Sequence, residues 1–435
     1  MIRSLTAAAL AAIVLQACGE REVLLPGERL DIRSGAPTTL DDVVNRAVPL
    51  SLPPARVNAD WTHPNGGPTH AVSHPALDRG LQPVWSVAIG DGNGRKHRLT
   101  ADPVVAGGRV FTLDSRALVS AFTTSGAPLW TRDLTPEADR SDDASGGGVA
   151  VTGGSVFVTT GFGEITALDA ATGEVRWVQD LQSAATAAPT VSNGVVYVVS
   201  RNAVGWAIDV NTGRILWQVL GAPSDSGIAG GAAPAVAGPL VLFPMSSGQL
   251  VSAVAGPGTR AWVASVAGER QDRAFSGISD LSGDPVVVGD RVYAGNHSGR
   301  AAAFDATTGE TIWQAEEGAL SPVWVSGGAV FLISDENRLV RLDAATGETV
   351  WAVNLPFFTR ERLNRRKGTF AHFGPVLAGG RLIVASDDGQ MLEYDPVTGD
   401  LITATALPGG AARNPVVAGG TLYLVTERGT LHAFR

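Results

Sequence analysis

The chain has 435 residues, among them 53 Gly and 25 Pro, and only 17% are charged. That length can bury a full core, and glycine at turn-like intervals favours an all-β fold. A net charge of −9 without a basic stripe argues against nucleic acid as a partner, and the single cysteine excludes a disulfide framework and a cysteine-rich metal site.

Residues 1–3 form a short basic start and 5–15 an apolar run too short to span a bilayer. Leu15, Gln16, Ala17 and Cys18 then resemble the lipobox of bacterial lipoproteins, with Gln16 a less usual residue there. The resemblance implies that 1–17 is a signal peptide and that Cys18 is diacylated. Two or more acyl chains anchor a protein stably where one does not. In the same pattern, Gly19 in place of Asp implies sorting to the outer membrane.

Residues 18–80 carry eight prolines and no sustained apolar period, which reads as a tether between lipid and folded body. Within it, 40–52 is expected to hold at most one or two helical turns. His63, His70 and His74 lie close together, but the surrounding Pro and Gly deny them a common helix face. They are expected in a solvent-exposed loop, with no metal.

From residue 81 two phrases alternate. The first is Pro, a short β-branched run, a Gly turn and a second β run, as in 103–111, 189–197, 234–242, 285–293, 322–331, 375–383 and 415–423. Residues 148–157 fill the same role without the Pro. The second is Ala-x-Asp-x-x-Thr-Gly-x-x-x-Trp, seen whole at 167–177, 207–217 and 303–313, without its Ala at 341–351, and degenerate elsewhere. The Trp positions are 130, 177, 217, 262, 313 and 351, and Thr403 stands where a seventh is expected. The last repeat stops at Arg435 without a fourth strand, while Trp85 lies in a strand with no hairpin before it. The two fragments complete each other. The pattern predicts an all-β, eight-bladed β-propeller over 81–435, with four antiparallel strands per blade and the strand around Trp85 closing the ring. Trp85, Trp130, Trp177, Trp217, Trp262, Trp313 and Trp351 are expected to dock blade on blade.

Strands in a blade alternate in direction, so one face carries only tight turns and the other the blade-to-blade crossings. The crossings at 131–146, 218–233, 263–284 and 352–374 are long, which makes the crossing face the expected working face. The last crossing contains the one basic cluster: Arg360, Arg362, Arg365, Arg366 and Lys367. Its simplest reading is a solvated loop, and its functional reading is contact with an acidic partner or anionic lipid.

The Trp turn resembles the docking motif of quinoprotein dehydrogenases, which would imply a periplasmic quinone-dependent oxidoreductase. That family needs a quinone pocket and commonly a vicinal cysteine pair, and this chain has one cysteine. A glycan-binding propeller would need exposed aromatics, and Trp206 and Trp324 lie in strand patterns that read as core. The lipobox, Pro-rich tether and Trp-turn blades together resemble the BamB family of propeller lipoproteins. That resemblance implies a non-catalytic scaffold without cofactor on the periplasmic face of the outer membrane. Its implied partners are the barrel protein BamA, other Bam lipoproteins and nascent outer-membrane proteins. Carried over residue by residue, the partner contacts fall on Ile228 and Gly230 before blade four, and on Ser279, Asp280 and Asp284 before blade five. Ala229 stands where the family has Arg, so no salt bridge forms there.

Overall fold

A computed structural model describes residues 45–185, 187–224, 227, 230–268, 270, 278–360, 362 and 365–435. Cys18, the leader and Ile228 lie outside the described residues.

Thirty-two strands form eight four-stranded antiparallel sheets. Seven blades are contiguous in sequence. Blade one, for example, is Val104–Ala106, Arg109–Leu113, Leu118–Thr123 and Pro128–Asp133. The eighth takes its inner three strands from the C-terminus (Val416–Ala418, Thr421–Thr426, Thr430–Phe434) and its outer strand, Pro83–Ala88, from the N-terminal side. Trp85 opposes Ala433, and Gln82 and Arg435 exchange backbone hydrogen bonds of 2.7 and 3.0 Å. Closure of this kind leaves no blade without neighbours on both sides.

The Trp turn explains the ring. In blade two, Asp169 Oδ1 accepts the N–H groups of Ala171 (2.8 Å) and Thr172 (2.9 Å). Those bonds, with Arg176 as the largest contributor, hold the Asp169 carboxyl down at about 2. Gly173 supplies φ +73°, and the ring of Trp130 from blade one lies flat against it. A Cβ on Gly173 would stand 2.6 Å from that ring. Trp130 Nε1–H donates to Ala170 O at 3.2 Å. The same donation recurs from Trp85 to Thr124, Trp177 to Val210, Trp217 to Ala255, Trp262 to Ala306, Trp313 to Ala344 and Trp351 to Pro396. Each Trp therefore belongs to one blade and is bound by the turn of the next. Within its own blade each of these except Trp262 meets a second-strand aromatic, such as Phe157 with Trp177 at 5.9 Å; blade four has Leu242 at that position.

Thr403 now has a physical reason. The seventh Trp would dock on the turn joining the last two strands of blade eight, and those strands come from opposite ends of the chain. With no turn there is no glycine for an indole to cover. Trp206 and Trp324 are core, 2% and 1% exposed.

Residues 45–80, read from sequence as part of a tether, run over the tight-turn face and plug the ring. Residues 45–52 hold no helix. Trp61 exchanges two backbone bonds with Val105 of blade one (2.7 and 2.8 Å), and Thr62 O accepts Val151 N–H of blade two (2.9 Å). His63 Nε2 accepts Val191 N–H of blade three at 3.0 Å. Pro68 O and Thr69 O accept Val236 N–H and Val287 N–H of blades four and five at 2.8 and 2.9 Å. Asn65 Nδ2 donates to Val323 O beside blade six at 3.4 Å. Pro75 O accepts Gly379 N–H of blade seven, and Asn58 O accepts Gly419 N–H of blade eight, at 2.9 and 2.7 Å.

The chemistry follows from the innermost strands. One edge of each pairs within the blade, and the other turns N–H groups toward the axis, where they need acceptors. A proline-rich segment suits this, because proline offers a carbonyl and no competing N–H. Trp61 stacks on Trp324 of blade six (6.2 Å between centroids, 27° between planes), so the plug bridges blades one and six.

Replacing Trp313 by Ala removes a 7% exposed indole and its bond to blade six, and should cost about 3–5 kcal/mol in urea unfolding. Thr403→Trp, lacking a receiving turn, should raise the unfolding midpoint by nothing measurable.

Candidate protein-docking face

On the crossing face the structure brings together the two segments singled out by sequence. A Cβ on Gly227, in the crossing before blade four, would sit 3.3 Å from Asp280 Oδ2, in the crossing before blade five. A shallow pocket opens there, lined by Ser200, Arg201, Gly227, Gly231, Ser246 and Asp280. Asp280 is 7% exposed, while Arg201 is exposed at the rim. Gly230 takes φ +79° against Thr100, and the carbonyl of Ser279 packs over Gly248. Gly230, Ser279 and Asp280 thus share one neighbourhood on the long-loop face.

Asp284 has a different place. Its Oδ1 accepts Ala233 N–H at 2.6 Å, clasping blade four to blade five at the channel mouth. Burial, reinforced by Asp102, pushes its carboxyl up to about 7. An equivalent clasp joins blades eight and one, where Asp102 accepts from Arg413 Nε (2.8 Å) and from Asn414 Nδ2 (3.0 Å). Asp284, expected as a partner contact, instead bonds the residue before the Pro of blade four, a pairing that a linear motif does not reveal.

Beside the pocket, Arg270 binds Asp335 through Nε (2.6 Å) and a terminal nitrogen (2.9 Å). Arg338 binds Glu317 at 2.6 Å, yet burial still raises the Glu317 carboxyl to about 7. The Arg270 pair fixes the crossing before blade five onto blade six, and the Arg338 pair fixes the crossing before blade six onto its own blade. The basic residues Arg360, Arg362, Arg365, Arg366 and Lys367 are all exposed, on the crossing between blades six and seven. They stand apart from the pocket, which lies over blades three to five.

The three histidines are buried, not solvent-exposed: His63 2%, His70 0% and His74 7%. Sequence reasoning missed them because Pro and Gly mark irregular backbone without showing where it lies. The available signal was Trp61, an indole inside a segment otherwise read as hydrated. His63 Nε2 accepts Val191 N–H, so its proton sits on Nδ1, facing Thr62 Oγ1 at 2.7 Å. His70 Nδ1 donates to Pro285 O at 2.9 Å, and His74 bridges Pro53 O to Gly380 N–H. All three are structural residues of the plug, and His63 and His70 are held neutral. Burial lowers His63 to about 3, aided by repulsion from His70, and lowers His70 to about 4. No group of three or more His, Cys, Asp or Glu able to hold a metal occurs among the described residues.

Comparison with known proteins places this geometry. Residues 115–353 and 360–435 match the family model described as outer membrane protein assembly factor BamB. The chain is similar to the Yersinia pestis protein of that name, 27% identical over 369 residues, covering 83% of this chain and 91% of the relative. Among solved structures it is similar to BamB from Moraxella catarrhalis (TM-score 0.68, 22% identity, 82% of this chain and 99% of the other). It is also similar to quinohemoprotein alcohol dehydrogenase from Comamonas testosteroni (TM-score 0.67, 17% identity, 87% and 81%). At these identities both structures speak to the fold alone.

The depressed histidines give a pH prediction. Between about pH 6.5 and 3 the unfolded chain binds protons at His63 that the folded chain does not, so stability from this group is complete above 6.5 and lost as pH falls. His63→Gln keeps an acceptor for Val191 without a titrating group. Urea unfolding at pH 7 and pH 4 should show a smaller acid loss for the variant than for the parent.

Proposed function

The chain belongs to the BamB family of outer-membrane protein assembly factors, and from that premise we propose that it is a non-catalytic scaffold binding a BamA-type barrel protein. It is a component of the barrel assembly machinery, works at the outer membrane on its periplasmic side, and acts with the other Bam lipoproteins on nascent outer-membrane proteins. Cys18 carries the lipid anchor.

One observation carries the non-catalytic reading. The axis of the ring, where a propeller has room for a cofactor, is occupied by the chain's own Trp61, His63 and His70. The irregular, adaptable surface is then the crossing face, where the Gly227 and Asp280 segments meet. Apolar and small groups around a partly buried acid, with an arginine at the rim, suit a protein partner's loop better than a small polar substrate. The quinoprotein reading is supported by likeness of fold to the alcohol dehydrogenase. It ranks second because the Trp turn accounts for itself as inter-blade docking and calls for no quinone.

Asp280→Arg places a bulky cation in a pocket lined by Gly227 and Gly231, and Arg201→Glu reverses the rim charge with little disturbance of packing. Each should lower co-purification of the BamA-type protein from detergent-solubilised envelopes at least about tenfold, or about 1.4 kcal/mol, with melting of the Arg201 variant unchanged. Parent-level recovery by both variants would remove this pocket from the interface.

A further inference from the structure

We propose that the hairpin between blades six and seven docks the propeller onto an anionic lipid surface. Phe358 pairs with Thr369, Thr359 N–H donates to Gly368 O (3.0 Å) and Phe370 N–H to Phe357 O (2.8 Å), making a short ribbon. Its base is fixed: Asn337 Nδ2 donates to Phe370 O at 2.9 Å, and His372 Nε2 bonds Pro356 O at 2.7 Å. Phe357 and Phe358 meet edge to face at 4.6 Å, and the Arg366 guanidinium lies 4.6 Å over the Phe358 ring. Both rings remain partly exposed, and Arg360, Arg362, Arg365 and Lys367 extend beyond them into solvent. Half-exposed aromatics beneath a cluster of cations form the pattern that sits at a membrane interface. The rest of the chain is acidic, so an anionic surface repels the body and attracts this corner, fixing orientation as well as contact.

A second observation places the membrane on this side. The chain joins the described body on the outer edge of blade six, whose last strand is Thr349–Asn354. Asn45 bonds both backbone groups of Ala352 (3.2 and 2.9 Å), and Arg46 N–H donates to Val350 O (3.0 Å). The backbone at 45–46 therefore runs from the Asn354 end of the strand toward Thr349, and the hairpin begins just beyond Asn354. The chain that leads back toward Cys18 thus leaves the described body at the corner of the basic hairpin, and a lipid on Cys18 together with the hairpin would make a two-signal attachment. This second argument rests on the reading of Cys18 as the lipid-bearing residue; the first does not.

The test uses the mature chain from residue 18 with Cys18→Ser, so that acyl chains do not drive partition. Vesicles of phosphatidylcholine alone and with about a third phosphatidylglycerol are sedimented with it. Binding should need the anionic lipid and fall steeply between about 0.15 and 0.5 M salt. Each cation near such a surface contributes about fivefold. Replacing Arg360, Arg362, Arg365 and Lys367 by Ser, with Arg366 kept on its ring, should weaken binding about a hundredfold or more. If that variant melts early, Arg360→Ser with Arg362→Ser is used, with a loss of about twenty-five-fold expected. Equal binding to neutral vesicles, or parent-level binding by a folded variant, overturns the proposal. So does a variant unaltered on vesicles that instead loses an acidic protein partner. Palmitate labelling of the parent is measured separately: absent label with anionic binding intact removes the anchor and leaves the docking hairpin standing.

Discussion

The fold depends on an indole lying flat on a glycine. Each docking Trp covers the left-handed Gly of the next blade's turn and donates its Nε1–H to a carbonyl of that turn. The contact is steric as well as attractive. Cβ atoms placed on Gly126, Gly173, Gly213, Gly258, Gly309 and Gly347 would all lie within 2.5–2.7 Å of a tryptophan ring. Glycine is thus required twice at one position, for its φ and for the absence of a side chain. Because each blade supplies a Trp forward and a turn backward, the unit is self-complementary and closes only when every turn is occupied. The one blade without such a turn is preceded by the one outer strand without the Trp.

The plug is the second constraint. A ring of eight innermost strands leaves inward N–H donors around the axis, and those that the plug covers need acceptors from it. Residues 58–75 supply carbonyl and imidazole acceptors to seven blades and a donor to blade six. A neutral histidine fits this task because it can accept at Nε2 and donate at Nδ1, as His63 does in joining blade three to Thr62 of the plug. Sealing the tight-turn end has a consequence for function. It leaves the crossing face, where loop length varies, as the adaptable surface on which the proposed recognition rests.

Architecture was legible in the sequence because period, turn glycines and tryptophans are local signals repeated many times. Even ring closure could be read, since a missing strand at Arg435 and a spare one at Trp85 are complementary facts. What was not legible depends on contacts between distant residues. Nothing in the neighbourhood of His63 or His70 announces that Val191 and Pro285 will receive them. Asp284 likewise looks like a loop acid until the blade geometry turns it toward Ala233. At the candidate site, the crossing face and the approach of Asp280 to Gly227 follow from loop lengths and order. The division between contact residues and clasp residues does not.

The account separates a sealed tight-turn face from a working crossing face, and this can be tested in cells without disturbing either. A photo-crosslinking residue is introduced at Arg201, on the rim of the crossing-face pocket, and in a second strain at Ala171, exposed on a tight turn of blade two. Irradiation followed by identification of the adducts should join the Arg201 position to the BamA-type protein and leave the Ala171 position without that adduct. Adducts to it from Ala171 and none from Arg201 would contradict the account.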